Sequence, residues 1–361
     1  MRLLRQPDDG VAQLVRGIDS AKSSIEIVIF RFDQPEVERA LASAVSRGVT
    51  VRALIAHVNG SGGDGLRRLE MRLLPAGVTV ARTGNGLARY HAKFMILDHH
   101  ELYLLAFNFT NQDINHTRSF GLVVQDRRLV QEALKLFEAD TTRQPYEPGL
   151  PTFVVSPANA RQELCAFIEG AKSELLIYDP KVSDSAMIHL LEERAEKKVN
   201  IQLIGQSSSV GERFAIRKLS QCRLHARAMV RDRQIAFVGS QSLRKIELDG
   251  RREVGIVFSD PSAVNELATT FQEDWEAAEQ IQVLAPAAKV AKKVAKAISK
   301  ELPPVAPLLD VTLKEMRGDR FDLAVDADEI EDAVRDAVKD AVQVAVEDAI
   351  DGAGKNLNAK R

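Results

Sequence analysis

The sequence predicts an α/β protein built as two similar halves, each a mixed sheet flanked by helices, followed by a helical C-terminal extension. Three observations carry that reading. Strand-like and helix-like patterns alternate along the chain, the same succession of residues recurs at constant spacing, and the composition shifts to Ala, Lys and Val after Trp275. The divisions that follow are 1–150, 151–285 and 286–361. With 361 residues, 45% of them apolar and 28% charged, the chain is long enough to bury a core of this kind.

Taken in order, apolar and β-branched runs at 25–30, 49–55, 94–97, 102–105 and 120–124 read as strands. Between the first two, residues 36–45 place Val37, Ala40, Leu41 and Ala44 on one helical face. Further helices are expected at 66–74 and 128–139. The second half repeats the first. Ala21-Lys22-Ser23 before IEIVIF matches Ala171-Lys172-Ser173 before ELLIYD, and Val49-Thr50-Val51 matches Val199-Asn200-Ile201, both 150 residues apart. His91-Ala92-Lys93 matches His225-Ala226-Arg227, Asp98 matches Asp232, and Phe137 matches Phe271, all 134 apart. The change of offset falls where the first half carries a Gly-rich run from Asn59 to Gly65, which lacks the GK[ST] of a phosphate loop and reads as a surface loop. Two such halves packed about a pseudo-twofold axis would set equivalent loops opposite one another.

The tail has a different texture. A basic amphipathic stretch from Lys289 to Lys300 precedes a Pro-rich break at 302–307, and residues 327–350 read as an acidic amphipathic helix. The basic stretch could contact an anionic membrane surface, and the acidic helix could pack on the body or mediate oligomerisation. No apolar run of about 20 residues is present to span a bilayer, and nothing after Met1 resembles a secretory leader, so a cytoplasmic location, peripheral at the inner membrane surface, is the expectation. The formal charge of −2 argues against holding nucleic acid by bulk positive field. Cys165 and Cys222 are too few and too isolated for a disulfide framework or a cysteine-rich zinc site.

The chemistry is concentrated in the repeated motif. His91-x-Lys93-x4-Asp98 is followed six residues later by Leu105-Ala106-Phe107-Asn108, and His225-x-Arg227-x4-Asp232 by Gly239-Ser240-Gln241-Ser242. Alternation along a strand puts His91 and Lys93 on one face, and likewise His225 and Arg227. If the halves face each other, one pocket holds two imidazoles and two cations. One ring can attack phosphorus, the other can protonate the leaving oxygen, and the cations can stabilise the charge on the non-bridging oxygens. The cations would repel a metal ion, and no carboxylate cluster accompanies the histidines, so no metal or cofactor is expected.

With these residues in view, the sequence resembles the phospholipase D superfamily, marked by HxKxxxxD followed by GSxN, present twice; the resemblance covers about residues 10–280. It implies a covalent phosphohistidine intermediate with His91 as nucleophile and His225 as general acid, while Lys93, Arg227, Asn108 and Ser240, with Ser242 as a further candidate, hold the phosphate. It also implies that a glutamate after the second motif, Glu253, backs His91 across the halves, whereas Ser119 at the matching position leaves His225 without a carboxylate. Asp98 and Asp232 are supporting candidates whose turn-like positions point to backbone capping. Departures are Leu105-Ala106 for Gly-Ser, Arg227 for Lys and Ser242 for Asn. The resemblance implies hydrolysis or transfer at phospholipid head groups, in the manner of phospholipase D and the cardiolipin and phosphatidylserine synthases. The same chemistry would serve a nuclease, and a degraded relative would only bind phosphate.

Overall fold

The structure, a computed structural model, describes residues 1–57, 64–208 and 214–280. The basic stretch from Lys289 to Lys300, the helix expected at 327–350 and most of the Gly-rich run lie outside the described residues. Strand Ser24–Ile29 forms the centre of the first sheet, parallel to Thr50–Ile55 on one side and antiparallel to Phe94–Leu97 on the other. Thr79–Arg82 extends the parallel side, while Glu101–Leu105, Thr117–Val124 and Arg2–Gln6 extend the antiparallel side. The expected strands therefore form within a residue or two, except that 120–124 begins three residues earlier, at Thr117. Helices Pro35–Ser46, Asp64–Leu73 and Arg127–Thr142 form at the expected places, the first burying the expected Val37, Ala40, Leu41 and Ala44 and the last capped by the Asp126 carboxylate on the Arg128 and Leu129 amides.

The second sheet repeats the order. Glu174–Val182 is parallel to Asn200–Ser207 and antiparallel to Ala228–Arg231, followed outward by Ile235–Gly239, Val254–Phe258 and Phe153–Val155. Helix Pro261–Ala277 is the counterpart of Arg127–Thr142, and its cap Asp260 lies 134 residues after Asp126. Each half has an outer apolar cluster of its own, and a central one joins them. In that central core Phe120, Phe137, Phe153, Tyr178, Phe271 and Trp275 are buried together, so the described residues fold as one compact unit. Among the described residues no helix is long and apolar enough to cross a membrane.

The halves also exchange short ladders. Arg223–Leu224 runs parallel to Thr117 and Arg118, and Arg251–Arg252 runs parallel to Arg89–Tyr90. The two exchanges are equivalent under the 134-residue offset, which gives the pseudo-twofold relation a concrete form. Buried ion pairs brace them. Arg252 holds Asp140 at 3.0 Å, and Arg118 holds Asp274 at 2.9 Å, each reaching a helix of the other half.

Candidate active site

Each catalytic candidate follows one of these exchanged ladders. His91 comes directly after Arg89–Tyr90, and its amide donates to the Arg252 carbonyl at 2.8 Å; His225 comes directly after Arg223–Leu224 and donates to the Arg118 carbonyl at 3.0 Å. Neither histidine lies in a strand, contrary to the strand placement expected from alternation: His91–Lys93 and the segment from His225 to Arg227 sit between strands, tied to the opposite half. The side chains still converge. The two imidazole centroids are 6.5 Å apart with the rings near perpendicular, close enough for both rings to reach one phosphate group.

Around His91 every polar contact points to one tautomer. Its Nδ1 is 2.8 Å from Glu253 Oε2, and its Nε2 is 2.8 Å from Lys93 Nζ. A carboxylate only accepts and an ammonium only donates, so the proton belongs on Nδ1 and the lone pair on Nε2. The Phe30 ring packs edge-on at 4.5 Å and fixes the imidazole from the side. Burial, reinforced by Lys93 and Arg227, drives His91 well below the ordinary imidazole pKa, which keeps it neutral. Burial also pushes the Lys93 ammonium down to about 7, with Glu253 opposing. Glu253, fully buried, is raised by its burial, while Lys93, Arg227 and the nearby Ser240 hydroxyl pull the other way.

The surroundings of His225 differ from expectation. Ser119 offers it no carboxylate, but Asp113 does: Asp113 Oδ2 is 3.6 Å from His225 Nδ1, too long for a hydrogen bond and close enough for charge. Asp113 accepts from the Asn108 amide and from Asn108 Nδ2, and pairs with Arg223 at 3.1 Å. Burial lowers the His225 pKa well below normal, Asp113 opposes, and Arg227 and Lys93 reinforce. The sequence reading missed Asp113. Its signal was available, since Glu247 lies 134 residues on and occupies the matching place, accepting from the Ser242 amide at 2.8 Å and facing Arg227 Nε at 3.6 Å.

The remaining candidates divide. Arg227 is held by Ser242 Oγ at 3.1 Å and donates to the His225 carbonyl, so Ser242 acts on the cation that it positions. Ser240 is fully buried and accepts from the Val254 amide, beneath Glu253. That arrangement explains the Leu105-Ala106 departure. Ala106 matches Ser240 and Ser119 matches Glu253, so the half without the glutamate has no acid for a hydroxyl to support. Leu105 pairs with Gly121 where Gly239 pairs with Gly255; a Cβ on Gly239 would come within 2.8 Å of the Gly255 Cα, whereas Leu105 fills its side of the sheet. Asp98 and Asp232 lie away from the pocket, at φ 52°, and each accepts from three consecutive amides, Lys22 to Ser24 and Lys172 to Glu174. They tie the loop ahead of the central strand, and the hydrogen bonds outweigh burial enough to hold Asp98 at about 2. Among the described residues no group of three or more His, Cys, Asp or Glu side chains is placed to share a metal ion.

A family model described as cardiolipin synthase, PLD-like domain, matches residues 14–141 and 164–275, one copy in each half and about two thirds of the chain. The chain belongs to the phospholipase D superfamily. It is 32% identical over 139 residues to mouse mitochondrial cardiolipin hydrolase, covering 37% of this chain and 59% of that protein, and 30% identical over 135 residues to the human protein of the same name, covering 36% and 50%. It thus spans roughly half the length of the curated relatives it matches. Phosphatidylserine synthase of Haemophilus influenzae superposes with a TM-score of 0.64 at 11% identity, covering 87% of this chain and 94% of that one. Polyphosphate kinase of Porphyromonas gingivalis gives 0.65 at 18% identity, covering 76% and 50%. At these identities the superpositions establish the shared two-sheet fold.

Proposed function

We propose that the protein cleaves or exchanges phospholipid head groups through a phosphohistidine on His91. One observation carries the reading: two neutral, buried imidazoles face each other between Lys93 and Arg227, and only His91 is hydrogen-bonded to a carboxylate. In the first step Nε2 of His91 forms a bond to phosphorus and the bond to the head-group oxygen breaks. The departing oxygen takes a proton from His225. Glu253 holds the growing positive charge on His91 through the Nδ1 proton, and Lys93 turns from Nε2 to a non-bridging oxygen as the lone pair is used. In the second step water or an alcohol attacks phosphorus, His225 takes its proton, and the bond to Nε2 breaks. The substrate's own negative charge raises the His225 pKa, which supplies the acid that burial disfavours.

The lipid reading draws on the relatives named for cardiolipin hydrolysis and phosphatidylserine synthesis. A net charge of −2 and 5% aromatic residues do not favour an extended nucleic-acid track. A cytoplasmic place at the inner membrane surface goes with this proposal. Head-group release from anionic vesicles, run beside single- and double-stranded DNA and all in EDTA, tests it. Release from vesicles alone is expected; cleavage of DNA alone would overturn the lipid assignment, and phosphate binding with silence in both assays would make the protein a binding relative.

A further inference from the structure

Three departures from the repeat in the second half are connected to one another. Arg227 stands where the first half has Lys93, Ser242 where it has Asn108, and Asp179, at the 150-residue offset, where it has Ile29. Ile29 lies in the outer apolar cluster of its half, and Asp179 is buried almost as completely, at 2% exposure against 1%. A carboxyl group in such a place gives up hydration that an isoleucine never had. The backbone is shaped around it. Gly205 faces Asp179 on the neighbouring strand at φ 147°, and a Cβ there would overlap the Asp179 carbonyl oxygen; the matching first-half pair is Ile29 with Ile55. Both carboxyl oxygens are taken up by backbone amides: Oδ1 accepts from Lys181 at 2.8 Å and Oδ2 from Leu243 at 2.7 Å.

Leu243 is the link to the pocket. The amide just before it, on Ser242, donates to Glu247 at 2.8 Å, so two buried carboxyls clamp two consecutive amides. In the first half Asp113 clamps the Asn108 amide, and Ile29 has no oxygen with which to clamp the next one. Ser242 Oγ in turn accepts from Arg227 Nε at 3.1 Å, and Glu247 lies 3.6 Å from the same nitrogen. Lys93 needs no such setting. An ammonium is a point charge with rotating donors, whereas a guanidinium meets a phosphate in its own plane and must be turned to face it.

We propose that Asp179 is a positioning residue for the phosphate-binding cation: by holding the Leu243 amide it fixes Ser242, and Ser242 turns the Arg227 guanidinium to the reacting phosphate. The inference rests on the phosphate-handling role that the proposed mechanism gives Arg227, and it holds for a lipid or any other diester. Burial raises the Asp179 carboxyl to about 6 against the pull of the Leu243 and Lys181 amides, with Glu247 raising it further and Arg227 lowering it. A protonated carboxyl accepts more weakly from amides than a carboxylate does, so the setting of Arg227 loosens as pH falls through that value.

Hydrolysis of bis-p-nitrophenyl phosphate and the NMR signal of the Arg227 Nε–H group, identified by its loss in Arg227→Lys, test this together. In wild type kcat should fall, and the Arg227 signal should shift, with a midpoint near pH 6. Asp179→Asn, whose side-chain amide must turn its donors towards one of the two backbone amides, should lower kcat about tenfold with KM nearly unchanged and remove both midpoints. In an Arg227→Lys background the same substitution should change kcat by less than about twofold, because the group through which it acts has no plane to set. An equal loss in both backgrounds, or an Arg227 signal that does not move near pH 6, would overturn the proposal. If Asp179→Asn does not fold, Ser242→Ala cuts the same chain at its next link and should abolish the midpoint in kcat; a midpoint that survives Ser242→Ala would equally overturn it. A wild type that leaves the diester uncleaved would end the phosphodiesterase reading, while the Arg227 signal still decides the link to Asp179.

Discussion

At His91 both ring nitrogens are engaged before any substrate arrives, Nδ1 by Glu253 and Nε2 by Lys93, whereas His225 Nδ1 has only a charge at 3.6 Å. On the proposed mechanism, that difference makes His91 the nucleophile and His225 the acid. Glu253→Gln keeps the shape but loses the charge that stabilises an imidazolium, so kcat should fall about 10²-fold or more with little change in KM; a change confined to KM would show that Glu253 only shapes the pocket. Asp113 is the leading influence that raises the His225 pKa. Since the acid must be protonated, the alkaline limb of kcat/KM reports His225 in the free enzyme and falls below the usual imidazole range. Asp113→Asn removes the raising influence and should move that limb to still lower pH; a move upward would deny Asp113 this role. The histidines, Lys93 and Arg227 were legible because a repeated motif marks them, and Glu253, whose counterpart is Ser119, only through the superfamily resemblance. Asp113 stands outside the HxK motif, so its repeat match to Glu247 is the one signal it leaves, and Phe30 leaves none because its counterpart is Pro180. Contacts made across the halves leave little trace in a linear pattern.

The strands were legible for the ordinary reason that their apolar runs are continuous where helices cover the sheet. The exchanged ladders were not. Arg89–Tyr90, Arg251–Arg252 and Arg223–Leu224 are two-residue segments with no period to read, yet the register of the first pair delivers His91 and that of Arg223–Leu224 on Thr117 and Arg118 delivers His225. The braces behind them make a clear prediction. Burial lifts the Asp140 carboxyl against the pull of Arg252, so the pair adds little net stability, but removing one partner strands the other charge. Asp140→Ala should therefore cost about 3–5 kcal/mol in urea unfolding; a loss under about 1 kcal/mol would mean that water already reaches the pair. Asp98 behaves differently. Its folded pKa is depressed to about 2, so its contribution is present above the unfolded value of 3.8 and is lost as pH falls from there towards 2. Asp98→Ala should destabilise the fold by about 1–3 kcal/mol near neutrality and flatten the acid dependence over that window, leaving the chemical step intact. A specific loss of kcat in a well-folded Asp98→Ala protein would place it in the mechanism instead.

On the scale of the molecule, duplication followed by divergence has given one pocket two unlike sides. One half contributes a histidine without its own carboxylate, and the other contributes the glutamate that serves it. The two-half architecture could be read from the constant offsets alone, because a repeat that buries a shared core must preserve its spacing. The Glu253–Ser119 inequality was implied by the superfamily resemblance, whereas the charge of Asp113 beside His225 emerges only when the exchanged ladders bring the halves together. Rapid-quench trapping with a phosphodiester labelled at phosphorus and carrying a good leaving group examines that inequality directly. The label should appear on His91, vanish in His91→Ala, and persist in His225→Ala, where the departing group needs no acid. Label on His225, or turnover with no labelled histidine at all, would contradict the account.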